Sequence, residues 1–72
     1  MEKEFINFVA DVLNVDPNSL SMETKYKTDG WDSLKMMTLI MEIEAEYDVN
    51  IPIEKVSSIV NLRDLYGLVF SK

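Results

Sequence analysis

Apolar residues recur with a helical period in three stretches of the chain. Between Glu2 and Asn14, Phe5, Ile6, Val9, Val12 and Leu13 share one face of an α-helix. Glu2 and Glu4 fall in its first turn, where negative charge complements the helix dipole. Asp16-Pro17-Asn18-Ser19 is expected to stop this helix, because proline cannot continue the backbone ladder. Residues 15 to 31 read as a long connection with a turn at Asp29-Gly30 and a short turn starting at Pro17. Leu20, Met22 and Tyr26 are expected to pin it to the core. Connections of this length in compact domains are usually functional or mobile.

Ser33 to Tyr47 has the strongest helical pattern, with no glycine or proline inside it. It is expected to end at Asp48-Val49-Asn50, before Ile51-Pro52, where Ile51 should be extended. A short helical piece is expected over Ile53 to Ser58. The last helix opens at Asn61, a good N-cap, with Asp64 in its first turn. Leu62, Leu65, Tyr66 and Val69 form its buried stripe, and Gly67 weakens it slightly. The pattern predicts an all-α fold in one domain spanning 1–72. It is a small four-helix bundle, three main helices plus one short one, with a long loop between helices 1 and 2.

The second helix carries more apolar surface than one core face needs. At about 100° per residue, Met36, Leu39, Ile40, Ile43 and Tyr47 share one sector wide enough to face the core. Lys35, Thr38, Glu42 and Glu46 lie opposite. Leu34, Met37 and Met41 form a separate band beside the polar face, with Glu44 at the boundary between band and core. Ser33, one turn before Met37, opens onto this band. Either the long loop covers the band or it is an exposed docking strip. Methionine suits the second role, because its flexible thioether adapts to several partners.

Composition narrows the chemistry. The chain has 72 residues, with 13 acidic against 7 basic side chains and a net charge of −6. Such a surface repels phosphate backbones and anionic membranes, so neither nucleic acid nor membrane is expected as a partner. No run is long enough to span a bilayer, and "MEKEF" lacks a signal-peptide core, so the expected location is the cytoplasm. The chain has neither cysteine nor histidine. Disulfides, thiol chemistry, histidine acid–base catalysis and the usual zinc sites are thereby excluded. A hydrolytic serine needs a base, usually histidine, and the carboxylates of the second helix are ordinary solvated positions. An enzyme is therefore not expected. Ser33 is better suited to being modified, because a helix N-terminus offers free backbone N–H groups and a favourable dipole to a phosphate. Asp and Ser are also favoured N-caps, so Ser33 could equally be a plain cap.

From Phe5 to Val69 the sequence resembles the acyl carrier protein family. The resemblance rests on Asp32-Ser33-Leu34 after a glycine turn, then an apolar helix through Leu39 and Ile43. Glu44-Ala45-Glu46-Tyr47-Asp48, Val49-Asn50, Ile51-Pro52, Ile59 and the opening from Asn61 to Asp64 follow in register. It implies that Ser33 receives a covalent 4′-phosphopantetheine arm from coenzyme A, attached by a Mg²⁺-dependent phosphopantetheinyl transferase, with Asp32 assisting. The reactive sulfur would belong to the arm and hold an acyl group as a thioester. Core residues such as Leu39, Ile43, Tyr47 and Ile59 would line a space able to take up an acyl chain. Leu34, Met37 and Met41 map onto partner-contacting positions, and Lys35, Thr38, Glu42 and Glu44 are expected around them. Implied partners are the transferase and acyl-activating, synthase or acyltransferase enzymes, met by a monomer.

The sequence departs from housekeeping fatty-acid carriers, which usually have acids where Lys35 and Thr38 stand and around Ser57 and Ser58. Trp31 replaces a smaller residue. These departures imply different partner steering and a specialised pathway, such as a polyketide, a modified lipid or a surface polysaccharide. Two alternatives stay open: an aminoacyl or peptidyl carrier, including a D-alanyl carrier, and an acidic helical adaptor in which Ser33 is only a cap.

Overall fold

The computed structural model describes residues 1–28 and 30–70. Asp29, half of the expected Asp-Gly turn, lies outside the described residues. In chain order the helices are α1 (Glu2–Leu13), α2 (Ser33–Tyr47), α3 (Ile53–Val56) and α4 (Leu62–Phe70), with a 3₁₀ turn over Pro17–Ser19. The all-α expectation holds, as does the loop between α1 and α2. The one strand-like feature among the described residues is an isolated bridge between Lys25 and Asn61.

Two boundaries differ from expectation. α1 ends before Pro17 is reached. Asn14 turns left-handed (φ 60°, ψ 49°), its N–H donates to Asp11 O, and Val15 N–H donates to Ala10 O at 3.0 Å. This pair of bonds satisfies the last carbonyls of the helix, so the proline is downstream of the stop. α3 stops at Val56 instead of Ser58. The Ser57 and Ser58 hydroxyls donate to the carbonyls of Glu54 (2.9 Å) and Lys55 (2.7 Å), offering the backbone an alternative to further helix.

Phe5, Val9, Ala10 and Leu13 of α1 meet Met36, Leu39, Ile40 and Ile43 of α2 and Leu62, Leu65 and Val69 of α4 in one core. Ile51 and Ile59, flanking α3, are buried with them. At one end, Phe5, Phe8, Tyr47, Tyr66 and Phe70 meet largely edge to face, with ring centroids 4.6–6.2 Å apart.

The long loop is sewn to the start of α4. Tyr26 N–H donates to Val60 O (2.8 Å), Leu62 N–H to Thr24 O (3.0 Å) and Arg63 N–H to Met22 O (2.8 Å). Leu20 and Met22 are buried and Tyr26 is half-buried, as expected of the residues that pin it. The Arg63 guanidinium also meets Glu23 at 2.9 Å, an exposed pair worth at most about 1 kcal/mol. α4 opens with reciprocal caps: Asp64 N–H donates to Asn61 Oδ1 (3.0 Å), and Asp64 Oδ2 accepts from Val60 N–H (2.9 Å).

Two predictions follow from this packing. A Cβ placed on Gly67 would meet nothing within 4 Å. Gly67→Ala should therefore keep its helix-propensity gain of about 1 kcal/mol. In a domain of this size that raises Tm by about 4–8 °C in a circular-dichroism melt. An unchanged or lower Tm contradicts this account of α4. Burial, with Glu46 and Glu4 nearby, raises the Tyr47 phenol above its ordinary pKa. The folded state then holds that proton more tightly than the unfolded chain, so stability falls as pH rises past about 10. Tyr47→Phe should flatten that alkaline decline in urea titrations. An equally steep decline in the variant would assign it to other groups.

Candidate functional site

The start of α2 passes from the deepest core to open surface within three residues. Trp31 is 1% exposed, whereas Leu34 is 80% exposed. The indole packs edge-on against Tyr26, with ring centroids 5.4 Å apart. Its backbone closes the turn twice: Trp31 N–H donates to Thr28 O (3.0 Å), and Trp31 O accepts from Lys27 N–H (2.6 Å). Gly30 precedes it at φ +81°, and a Cβ there would come within 3.2 Å of a Val15 methyl. Both the angle and the close approach call for glycine. The size of Trp31 marked it in the sequence only as a departure, while its position makes it the anchor of the site.

Asp32, not Ser33, caps α2. Asp32 has an extended backbone, and its Oδ1 accepts from Lys35 N–H at 2.9 Å. Its carbonyl accepts from Met36 N–H at 2.7 Å. Ser33 is thus the first helical residue, and it is exposed. The cap reading therefore moves to its neighbour. An exposed hydroxyl on the first turn of a 15-residue helix fits a covalent phosphodiester: the helix end favours the negative charge, and nothing must be displaced to reach it.

Leu34, Met37 and Met41 are 80%, 54% and 67% exposed. The loop does not cover them, so the band is exposed and the buried alternative fails. Thr38 and Glu42 are exposed beside the strip, and Lys35 is half-buried. Glu44 also has a structural task. It is half-buried, and its Oε2 accepts from Ile51 N–H at 2.8 Å, tying α2 to the entry of α3. Its helical angle alone could not reveal that tie, which exists only once the chain folds back.

The family model described as phosphopantetheine attachment site matches residues 3–69. The chain is also 31% identical over 64 residues to an acyl carrier protein of Clostridium acetobutylicum, covering 88% of this chain and 83% of that one. The chain belongs to the acyl carrier protein family. Acyl carrier proteins of Campylobacter concisus and Campylobacter curvus are each 32% identical over 62 residues, covering 85% of this chain and 80% of theirs. Membership makes this acyl carrier protein a bearer of cargo and not an enzyme, with a covalently attached 4′-phosphopantetheine as its prosthetic group. No helix among the described residues is long and apolar enough to cross a membrane.

The cap assignment separates two neighbouring substitutions. Asp32→Ala should lower unfolding free energy in urea by about 1 kcal/mol. Ser33→Ala should leave it nearly unchanged, since exposed substitutions away from caps fall within about 0.5 kcal/mol. The reverse order of costs would return the cap to Ser33.

Proposed function

We propose that Ser33 is the attachment residue and that this carrier delivers acyl groups to the enzymes of a specialised lipid, polyketide or polysaccharide-linked pathway in the cytoplasm. The observation that carries this reading is one juxtaposition: an exposed serine at the first position of α2, directly before an exposed apolar strip. In this reading Ser33 Oγ attacks the phosphorus on the pantetheine side of coenzyme A's pyrophosphate, and the new phosphodiester forms as that bridge breaks and adenosine 3′,5′-bisphosphate leaves. Proton removal falls to the transferase, because the chain has no histidine to act as base. The arm supplies a terminal thiol, and with it a thioester linkage for an acyl cargo.

Asp32 has two roles in this reading. It holds the first turn of α2 in place through Lys35 N–H. It also sets a carboxylate beside the serine, where the transferase brings its metal. Leu34, Met37 and Met41 meet partner enzymes, with Thr38 and Glu42 at the edge of the contact. Glu44 acts through the loop it ties to α2 instead of by direct contact. Lys35 supports the assignment to a specialised pathway: a cation two residues past the serine favours partners with an acidic group there and disfavours purely basic ones.

Incubation with coenzyme A, Mg²⁺ and a broad-specificity phosphopantetheinyl transferase should add the mass of one phosphopantetheine to the intact protein. Ser33→Ala should gain none while melting at the same temperature. Mass gain by that variant would move the site elsewhere. No gain by the wild type would leave the serine as surface only. On the loaded protein, an amino-acid adduct formed in preference to an acyl adduct would reassign the cargo. Met37→Glu should slow acyl loading several-fold without lowering Tm, and a large drop in Tm would make Met37 a core residue instead.

A further inference from the structure

The five methionines of the chain divide by burial. Met22 and Met36 are 7% and 4% exposed and belong to the core. Met37 and Met41 are open to solvent on α2, and Met1 is open at the chain start. Met36 and Met37 are adjacent in sequence, yet the first side chain is shielded and the second is not. Met37 and Met41 stand one turn apart, about 40° around the helix axis and about 6 Å along it. With Leu34 they make up the exposed strip. An apolar strip on a helix does not need sulfur. Leucine forms helix as well as methionine does, and Leu34 serves at the third position. What the thioether adds is a reaction: it takes up one oxygen reversibly, and the side chain becomes polar. The chain has no cysteine, so thioethers are the sulfur that its own side chains offer to an oxidant.

We propose that Met37 and Met41 form a reversible oxidation site that switches the strip between an apolar and a polar state. The oxidant is a two-electron oxygen donor of the peroxide class. A thioether sulfur attacks one peroxide oxygen, the O–O bond breaks, and the departing hydroxide takes the proton of the transferred oxygen and leaves as water. The sulfur is oxidised by two electrons to the sulfoxide, and the peroxide is reduced. Methionine sulfoxide reductases reverse the step with a dithiol, which becomes a disulfide while the oxygen leaves as water. Burial withholds Met22 and Met36 from this reaction, and a sulfoxide at either would disrupt the core. Sulfoxides at Met37 and Met41 lie outside the core, so the fold survives them. Two of the strip's three large apolar side chains then turn polar, and the strip loses its affinity for apolar surfaces. The site itself does not depend on what Ser33 bears. Its consequence, slower handling by partner enzymes, rests on the carrier reading.

Hydrogen peroxide on the full chain, before any arm is attached, tests it. Catalase then removes the peroxide, and fragment-ion mass spectrometry locates the added oxygen. Met37 and Met41 should each gain one oxygen well before Met22 and Met36 do. The circular-dichroism melt should keep its Tm, and elution from a native hydrophobic-interaction column should come earlier. A pair of methionine sulfoxide reductases, one for each sulfoxide epimer, should remove both oxygens with dithiothreitol and restore the elution. The oxidised protein should accept phosphopantetheine from coenzyme A and the broad-specificity transferase several-fold more slowly than before treatment. The double variant Met37→Leu with Met41→Leu retains Met1, Met22 and Met36 and receives the same treatment. Whatever its starting rate and elution, peroxide should change neither by more than a small fraction of the wild-type change. Equal oxidation of Met36 and Met37, a lowered Tm, sulfoxides that resist the reductases, or a double variant that responds as the wild type does overturns the switch. An oxidised wild type that elutes as before, or is charged as fast as before, overturns it as well. If the untreated wild type accepts no phosphopantetheine, the carrier reading fails, and oxygen uptake and elution still judge the switch.

Discussion

The fixed burial of Trp31 governs how the chain emerges at the start of α2. A side chain that large, held in the core and gripped by two backbone bonds to its own turn, leaves the chain one direction in which to leave. Asp32 follows immediately and starts α2, so the emerging residues are Ser33 and Leu34. The serine is exposed because the residue two places earlier is not. Gly30 makes the turn possible at a backbone angle other residues resist, and a side chain there would press on a Val15 methyl.

The helices were legible because their apolar residues repeat at the period of the α-helix, and burial follows that repeat. Met36, Leu39, Ile40 and Ile43 lie in the core as their angular sector implied, and Leu34, Met37 and Met41 lie outside it. Features set by local backbone geometry were harder to see. Asp32 and Ser33 are equally good caps by residue type, and only the extended backbone of Asp32 decides between them. Pro17 drew attention as a helix stop, while a left-handed Asn14 had already ended α1. The serines after α3 looked like helix, but their hydroxyls compete for its carbonyls. Ala10 is 1% exposed yet too small to stand out in a hydrophobic pattern.

Charge divides the surface in a way that fold alone would not require. An acidic chain places a lysine in the first turn of α2, two residues past the serine, and apart from the capping Asp32 keeps that helix's acids further along. The core does not need that order. In the proposed reading that order acts in encounters with other surfaces, where a patterned flank selects among partners. The loop before the serine meanwhile shares backbone bonds with the junction of α3 and α4, so the ground on which the site stands is spread over three segments.

Trp31 is the only tryptophan in the chain. Its indole sits against Tyr26 and within two residues of the serine. The protein therefore contains its own optical gauge. Ultraviolet emission from this one fluorophore reports the dryness and rigidity of the turn that presents Ser33, with no label attached. Water reaching the indole would redden the light, so opening of that turn can be followed by colour in real time.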